Sequence, residues 1–539
     1  MKNTPYDVIF VLPYPFSDHP SFPEGILYRA LEADGFRVGV LDAPHWQDPE
    51  EFKRLGRPGL FFALVPGPVD SVIMNYTPTR KRRKEDLYQL DGSAYFPGSP
   101  PSVASRVRPD RCVITFANQI RKAWKDCIVI AGGMETSQRI FAHYDFQQQR
   151  IRRSILLDGR LDLAVAGMGE IQIVNAARSM AAGIAPSAID LPGTAVVRSQ
   201  RPAGSGWVEL PGYEEVNENP ACLMTAYREQ KKAAASGSGT FQRHADRWVI
   251  RYPSPVLSTT LLNEINERPY TRTHLFRKDA AMSPALSMNL FSVTSHRGCF
   301  GRCAFCSVYC HQGGQVVSRS EESILKEVSS MSNHPRWRGV VADLGGATAE
   351  MYGMERPDSA AETPYLGLLK LVSRQPRVRK VFVASGVRHD LMLRHPELLE
   401  EIMRHHSGRF LRVAPEHVHD DVLSLMGKPD FGRFRAFCEL FASINRGLKR
   451  KVELAAYVII GHPGEEDHHI RNMVSELRNL GVDRVDAQIF TPAPGLLSTA
   501  MFVSGVDSRG RPISVCREPR ALQARKARLY AKKQGGFFT

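Results

Sequence analysis

The feature that most constrains the fold is a regular alternation of strand-like and helix-like segments in the second half of the chain. Short apolar runs recur from residue 289 to residue 490, and amphipathic helical patterns lie between them. The expected strands are residues 289–294, 339–344, 380–385, 410–414, 452–460 and 484–490. The expected helices are residues 321–331, 365–373, 397–405, 431–445 and 466–480. Six such β/α units predict a parallel barrel, complete or partial.

The N-terminal region has a separate α/β pattern. An apolar run at residues 7–12 is followed by a Pro-rich loop, a helical pattern at 26–33 and a second strand at 36–41. The further strand-like runs are residues 60–65, 127–131 and 163–166, and glycine-rich turns follow the last two. This order is typical of a doubly wound, Rossmann-like domain. Neither turn has the G-x-G-x-x-G spacing, so packing turns are favoured over a nucleotide site.

These patterns divide the chain into four parts. We expect a Rossmann-like domain at residues 1–200, a helical connecting region at 201–285, the barrel at 286–505 and a basic C-terminal tail at 506–539. The connecting region begins in a stretch rich in Pro, Gly and Ser, as linkers often do. The helical pattern in the tail predicts a solvated basic helix.

The chain of 539 residues is basic, with 71 Lys and Arg against 56 Asp and Glu and a formal net charge of +15. A positive surface favours anionic partners, so nucleic acid is one partner class that the charge allows. The longest apolar runs are too short to span a bilayer, and the N-terminus lacks the unbroken apolar core of a signal peptide. We therefore expect a soluble cytoplasmic protein without membrane contact.

Four of the nine cysteines fall within twelve residues, at Cys299, Cys303, Cys306 and Cys310. The first three form a C-x3-C-x2-C motif directly after the first expected barrel strand. Three thiolates on one loop can hold three irons of a cubane iron–sulfur cluster and leave the fourth iron open to another ligand. The alternatives are a chance grouping and a closed zinc site that includes Cys310, although zinc sites usually use two cysteine pairs set further apart.

With an aromatic residue before the third cysteine, this motif resembles that of the radical S-adenosylmethionine (SAM) superfamily. The string HRGCFGRCAFC, which begins at His296, resembles the YgiQ family within that superfamily. Other segments that resemble this family are Ser318-Arg319-Ser320, Asp18-His19-Pro20-Ser21-Phe22, His143-Tyr144-Asp145, Ala414-Pro415-Glu416-His417, Gly461-His462-Pro463-Gly464 and Thr491-Pro492-Ala493-Pro494. The resemblance implies a radical SAM-type partial (β/α)6 barrel and a class of chemistry, without naming a substrate.

The resemblance further implies a [4Fe-4S] cluster bound by Cys299, Cys303 and Cys306. The open iron would be chelated by SAM, and one-electron reduction would yield a 5′-deoxyadenosyl radical that takes a hydrogen atom from an unknown substrate. The cofactors perform this chemistry, and the barrel orients the reacting groups. A reductant such as flavodoxin or ferredoxin is the implied electron donor.

Several strand-end residues have cofactor roles in this interpretation. Gly345 and Gly346 would receive the SAM amino group, and Ser385 would bind its ribose or carboxylate. One arginine, Arg388 or Arg412, would bind the SAM carboxylate. The expected adenine contacts are Gly461 and Phe305. The alternatives are a plain strand-to-helix turn for the glycines, an inter-strand ion pair for the arginines and a core position for Phe305.

Glu416 and His417 follow an expected strand, at the functional face of a β/α barrel. We interpret them as tentative catalytic residues, either substrate contacts or a proton donor. The alternative is a His–Glu pair that only shapes the pocket.

The N-terminal domain resembles the cobalamin-binding domains that precede some radical SAM barrels. Their usual Asp-x-His-x-x-Gly pattern is absent, because Asp18 and His19 are adjacent and Gly25 lies six residues further on. We expect a domain without cobalamin, and cobalamin bound without a histidine ligand is the alternative.

Two other functions compete with a radical enzyme that abstracts hydrogen. One is methylthiotransferase-like modification of RNA or protein, which requires further cluster-binding cysteines that Cys112 and Cys127 are too isolated to provide. The other is a zinc- or cluster-bearing nucleic-acid-binding protein without enzymatic activity. Salt-dependent RNA binding without SAM cleavage would favour that second function.

Overall fold

The computed structural model describes residues 5–277, 280–356 and 363–530. These residues form two compact units. The N-terminal unit extends to Val256 and includes Arg268–Leu290 and Ala493–Ser504. The barrel unit consists of Leu257–Glu267, Phe291–Pro492 and the described residues from Gly505 onward.

The helices and strands alternate along most of the chain. The strands are β1 (Val8–Leu12), β2 (Val38–Asp42), β3 (Phe61–Leu64), β4 (Val129–Ala131), β5 (His143–Asp145), β6 (Arg150–Arg152), β7 (Leu163–Val165), β8 (Thr194–Arg198), β9 (Trp207–Leu210), β10 (Gly239–His244), β11 (Arg247–Arg251), β12 (Ser292–Thr294), β13 (His296–Arg297), β14 (Val317–Ser318), β15 (Val340–Val341), β16 (Asp343–Gly345), β17 (Lys380–Val381), β18 (Phe410–Glu416), β19 (Glu453–Ile460) and β20 (Arg484–Ile489).

The α-helices are numbered in the same way. They are α1 (Pro23–Ala33), α2 (Ser71–Asn75), α3 (Cys112–Ala123), α4 (Gly133–Ser137), α5 (Ile155–Asp158), α6 (Glu170–Ala181), α7 (Tyr213–Glu218), α8 (Cys222–Ser236), α9 (Thr259–Asn266), α10 (Pro284–Asn289), α11 (Ser307–Gln312), α12 (Glu321–Met331), α13 (Pro364–Ser373), α14 (His389–Met392), α15 (Pro396–Glu401), α16 (Asp420–Met426), α17 (Phe431–Gly447), α18 (Asp467–Arg471), α19 (Met473–Asn479), α20 (Leu497–Ser504) and α21 (Pro519–Tyr530).

The N-terminal unit is built on one sheet with the strand order β2-β1-β3-β4-β7-β8-β11-β10-β9. The first five strands are parallel, and their order is that of a doubly wound domain. Both faces of this part are covered, because Phe10 of β1 packs into one core cluster and Ile9 into another. The Rossmann-like prediction is confirmed.

The region at 201–285, expected to be helical, contains three strands besides its helices. The β10–β11 hairpin pairs β11 with β8 and β10 with β9, so the region extends the N-terminal sheet. Phe241 and Ile250 lie opposite each other and are buried in the sheet's core. The local sequence pattern did not predict these strands, because pairing between strands and not a local periodicity stabilises them.

The barrel unit places its six predicted strands in sequential, parallel order. The parallel pairs are β12 with β16, β15 with β17, and β18 with β19 and β20. A bridge from Val387 to Val413 connects the third strand position to the fourth. Leu411 and Val413 pack into the core beneath the helices, so Arg412 between them lies on the inner face. The predicted partial (β/α)6 barrel is confirmed.

The described part of the C-terminal tail is not a free solvated helix. Helix α21 buries Leu522, Arg525 and Leu529, and the Tyr530 hydroxyl accepts a 2.9 Å hydrogen bond from the Ala487 N–H of β20. The helix therefore covers the edge strand β20, a position that needs a partner for its backbone groups. In the described ranges, no helix is long and apolar enough to cross a membrane.

Candidate functional site

The three motif cysteines lie on a single loop, residues 298–306, which we call the cluster loop. It follows β13, which pairs with β14, and it ends at helix α11. Gly298 has a φ of 85°, and a Cβ there would lie 1.8 Å from the Gln315 carbonyl oxygen. The tight return of the chain thus requires glycine at this position.

The sulfur atoms of the cluster loop have surroundings suited to metal ligation. All three thiols are unpaired and partly buried, whereas Cys310 is exposed. The Gly301 N–H donates to the Cys299 sulfur over 3.4 Å, and the Tyr309 N–H donates to the Cys306 sulfur over 3.5 Å. Burial raises the pKa of the Cys299 and Cys306 thiols, and the nearby Cys303 raises both pKa values further. A bound metal would replace these protons, since thiolates are the ligating form.

Arg388 lies directly against the cluster loop. A Cβ on Gly301 would lie 2.5 Å from its Nη1 atom. Its Nε and Nη2 atoms donate to Asp390 over 3.1 and 2.8 Å. Burial by itself would lower the Arg388 pKa, but Asp390 and the nearby Cys303 raise it overall. The guanidinium is therefore a fixed positive charge beside the cysteines.

Beneath Arg388 lies Glu350, a fully buried carboxyl. It accepts hydrogen bonds from the Arg388 N–H over 2.8 Å and from the Thr348 hydroxyl over 3.0 Å. Burial raises the pKa of Glu350 to about 7. Glu350 thus fixes the backbone from which the Arg388 side chain extends.

Gly345, Gly346 and Ser385 lie at the ends of neighbouring strand positions. A Cβ on Gly345 would lie 2.5 Å from the Ser385 hydroxyl oxygen, and one on Gly346 would lie 2.6 Å from the His296 ring. The Gly345 carbonyl accepts a 2.7 Å hydrogen bond from the Ser295 N–H. The Ser385 hydroxyl donates to Asp343, which also accepts from the Ser385 N–H. These contacts account for both glycines and orient Ser385 without a ligand.

Arg412 lies deeper in the barrel than the cluster loop. It is exposed on the inner face of β18, and its guanidinium lies 5.9 Å from the centre of the Phe410 ring. It precedes Glu416 by four residues, a distance of roughly 13 Å along a strand. Among the described residues, Arg412 has no ion-pair partner.

Glu416 ends β18 in an unusual backbone conformation. Its φ is 70°, a left-handed value that is rare for residues other than glycine, and the strand register shifts just before it. Burial raises the pKa of the Glu416 carboxyl, and the positive charge of Lys428 lowers it by a smaller amount. The charge of this carboxyl also contributes to the raised pKa of Cys306. Strain of this kind is concentrated at functional sites.

His417 is fully buried and turns away from Glu416 into the protein. Its Nδ1 accepts a 3.1 Å hydrogen bond from the His419 N–H. Its Nε2 lies 3.6 Å from Glu465, which also accepts from the Gly461 N–H over 2.8 Å and from Arg525 over 3.2 Å. His417 therefore belongs to a buried polar group that includes helix α21.

Phe305 and Gly461 are the two expected adenine contacts. The Phe305 ring packs at the edge of the barrel core, 6.2 Å from the His462 ring. Gly461 has a φ of 78°, and a Cβ there would lie 2.2 Å from the Leu522 side chain. Contact with α21 thus explains this glycine without an adenine ring.

Five site residues were missed by sequence reasoning: Asp343, Glu350, Asp390, Glu465 and Arg525. Four are carboxylates: Asp343 begins β16, and Glu350, Asp390 and Glu465 lie in the segments that follow β16, β17 and β19, with Asp390 only two residues after Arg388. That position at the functional face of a barrel was the available signal. No comparable signal existed for Arg525, which reaches Glu465 across 60 residues.

Comparison with known proteins identifies the class to which this fold and site belong. A family model described as "Radical SAM N-terminal" matches residues 2–292, and one described as "Radical SAM superfamily" matches residues 293–487. The chain therefore belongs to the radical SAM superfamily and is an enzyme of that class. Its cofactors are a [4Fe-4S] cluster and SAM, and enzymes of this kind generally require a reductant.

The particular family follows from close relatives. A "UPF0313 protein" of Geobacter sulfurreducens is 38% identical over 550 residues, covering 97% of this chain and 89% of the relative. Another from Clostridium botulinum (strain ATCC 19397 / Type A) is 34% identical over 530 residues, covering 93% and 80%. The chain is a member of the UPF0313, or YgiQ, family.

The fold is also similar to that of a solved enzyme. The radical SAM methyltransferase TsrM from Kitasatospora setae, with tryptophan and a SAM analogue bound, aligns with a TM-score of 0.53 and 16% identity. The alignment covers 90% of this chain and 74% of that chain. At this identity the similarity concerns the fold alone.

Proposed function

We propose that Cys299, Cys303 and Cys306 bind the [4Fe-4S] cluster and that the enzyme takes a hydrogen atom from a substrate on the inner face of the barrel. The observation that supports this most is the group of three partly buried thiols on one glycine-dependent loop, two of them receiving backbone N–H donors. When the cluster and SAM are bound, they supply the one-electron chemistry that cleaves SAM. The chain's own residues position the ligands and exclude water.

Three cysteine ligands are favoured over four. Cys310 is exposed and lies one helical turn beyond Cys306, on α11. A three-ligand site leaves one iron for SAM, whereas a four-ligand site would be closed. Flavodoxin or ferredoxin is the electron donor we expect.

The two candidate arginines receive different roles. Arg388 lies at the cluster loop and has one guanidinium edge held by Asp390, which leaves Nη1 directed at the loop. We assign it to the carboxylate of SAM. Arg412, on the inner face well below the strand end, is assigned to the substrate, since its guanidinium is exposed there.

Glu416 is the proposed proton donor or substrate contact of the site. Its raised pKa favours a protonated carboxyl that can donate a hydrogen bond or a proton. His417 is assigned a positioning role, because it is fully buried and faces Glu465. We also assign Gly345, Gly346, Ser385, Phe305 and Gly461 to contacts with SAM, in addition to the packing contacts that they make within the protein.

We propose that the N-terminal unit works without cobalamin. Ligands of doubly wound sheets bind where the strand order reverses, here between the ends of β1 and β3. Tyr14 fills this crevice, and a Cβ on Gly67 would lie 2.8 Å from its ring. Arg108 covers the same ring at 5.1 Å and donates to the Pro66 carbonyl over 2.6 Å. Corrinoid that stays bound through gel filtration would contradict this proposal.

The test of the proposed reaction is anaerobic reconstitution with iron and sulfide, followed by reduction with dithionite in the presence of SAM. We expect formation of 5′-deoxyadenosine that depends on the reductant. A protein that retains zinc, contains no sulfide and forms no 5′-deoxyadenosine would rule out the radical reaction.

A further inference from the structure

The positive charge of the barrel unit is concentrated where its helices lead into its strands. The segments that follow α12, α13 and α15, together with the last residues of α17 and α19 and the loops after them, contain fourteen Lys and Arg residues and one Asp. We call this surface the basic face, and it comprises residues 333–339, 374–380, 404–409, 446–451 and 478–484.

Two loops at the opposite ends of the strands are acidic. The loops after β18 and β19, at residues 414–421 and 461–467, contain six Asp and Glu residues and no Lys or Arg. The cluster loop lies at this second end. The charge of the barrel unit is therefore unevenly distributed, with Arg302 and Arg388 among the basic residues at this second end.

Contacts between successive loops make the basic face one continuous surface. The Arg379 Nε donates to the Arg338 carbonyl over 3.0 Å, and the Trp337 indole donates to the Arg377 carbonyl over 3.1 Å. The Arg450 Nη1 donates to the Gly408 carbonyl over 2.7 Å.

Most of this charge is not neutralised by carboxylates. Ion pairs occur at Arg404, Arg409 and Arg484. Within the described ranges, ten other cations of the face have no carboxylate partner: Arg336, Arg338, Arg374, Arg377, Arg379, Lys380, Arg446, Lys449, Arg450 and Lys451. Burial lowers the Lys380 pKa, and the charge of Arg450 lowers it further.

The face also contains a concave site large enough for a phosphate group. A cleft of about 370 Å³ is lined by Lys370, Arg374, Arg379 and Lys380, with Glu401 as its acidic residue. Neither Lys370 nor Arg374 has a side-chain partner among the described residues. Their donors are available to an incoming anion.

We propose that the basic face binds the phosphodiester backbone of a nucleic acid. Eleven of the fourteen cations are arginines, whose planar donors match phosphate oxygens in pairs. Phosphate contacts of this kind provide sequence-independent affinity. An anionic membrane is the less favoured partner, because none of the large exposed apolar side chains of the described chain lies on this face.

This surface goes beyond the proposed function. It lies at the other end of the strands from the cluster loop, so its binding requires neither cluster nor SAM. RNA and DNA share the chemistry that the face recognises, and the test distinguishes them.

The test compares two triple variants of the full chain. Arg374→Gln, Arg446→Gln and Lys449→Gln remove three exposed charges from the basic face that have no side-chain partner in the described structure. The matched control, Lys81→Gln, Arg82→Gln and Lys84→Gln, removes three exposed charges from the basic run of the N-terminal unit. Binding of labelled 20-nucleotide RNA and DNA of the same sequence is measured by fluorescence anisotropy at several salt concentrations.

The basic-face variant should bind at least tenfold more weakly than the wild type at low salt. Its slope of log affinity against log salt should be smaller by about 2, since each single-strand contact contributes about 0.7. The control should retain the wild-type slope, and both variants should retain wild-type thermal stability and iron content. Equal loss in the two variants, or no salt-dependent binding of either nucleic acid by the wild type, would overturn the proposal. Tighter binding to phosphatidylserine vesicles than to RNA or DNA would overturn it in favour of a membrane.

Discussion

At the scale of single residues, Arg388 and Arg412 differ in what surrounds them and in how far they lie from the cluster loop. Arg388→Ala should weaken SAM binding roughly ten- to hundredfold, because a hydrogen bond to a charged group contributes about 1.5–3 kcal/mol. Arg412→Ala should leave SAM affinity unchanged, since its guanidinium lies on the inner face near Phe410. Equilibrium binding of SAM to both reconstituted variants is the measurement. Equal losses in the two variants would contradict the assignment.

Glu416 combines a strained backbone with a partly buried carboxyl whose pKa is raised. Glu416→Gly should raise the free energy of unfolding by about 1 kcal/mol, because glycine adopts a positive φ without strain. The same substitution should lower substrate turnover at least tenfold. Glu416→Gln keeps the strained backbone and removes only the acid, so it should lose turnover without the gain in stability. Calorimetry and 5′-deoxyadenosine formation measure the two effects.

A third residue-scale prediction concerns Glu24, a buried carboxyl of the N-terminal unit. It accepts a 2.9 Å hydrogen bond from the Tyr14 hydroxyl, and burial raises its pKa to about 8 from an ordinary value of 4.5. Because the folded state holds this proton more tightly, its contribution to stability is complete below about pH 4.5 and is lost as the pH rises to about 8. Stability of the Glu24→Gln variant relative to the wild type should therefore rise across this window. A stability difference between Glu24→Gln and the wild type that stays constant between pH 5 and 8 would contradict this prediction.

At the scale of elements, helix α21 stabilises the edge of the barrel unit. Leu522→Ala should lower the free energy of unfolding by about 2–3 kcal/mol, because a buried leucine against Gly461 is truncated. Arg528→Ala, on the exposed side of the same helix, should change it by less than about 0.5 kcal/mol. Urea denaturation of the two variants compares them. Equal effects would mean that α21 does not pack as described.

The elements also show which parts of the fold were predictable from sequence. The six barrel strands and the first strands of the N-terminal sheet were predicted, because buried parallel strands are short apolar runs between helical patterns. Strands β8, β9, β10 and β11 were missed, since each is stabilised by pairing with its neighbours in the sheet and not by a local pattern. The docking of α21 was missed for the same reason, because its partner groups lie in β20 and near Gly461.

Some features of the candidate site were also predictable from sequence, and others were not. The cysteine motif is local, so its residues and their shared loop could be read from spacing. The pairing of Arg388 with Asp390 and Glu350 and the pairing of Ser385 with Asp343 depend on tertiary structure. Spacing alone could not indicate which of Arg388 and Arg412 lies near the cluster loop, because the two differ in their depth along the barrel.

At the scale of the whole molecule, the proposed reaction requires that three cysteines hold a cluster with one open iron. The most direct measurement is electron paramagnetic resonance of reduced, anaerobically reconstituted Cys306→Ala and Cys310→Ala, with and without SAM. Cys310→Ala should retain about four irons and four sulfides, and its signal should shift when SAM is added. Cys306→Ala should lose most of its cluster and form no 5′-deoxyadenosine while remaining folded. Loss of the cluster in Cys310→Ala, with no SAM-dependent shift in the wild type, would show a closed four-cysteine site and rule out an open iron that binds SAM.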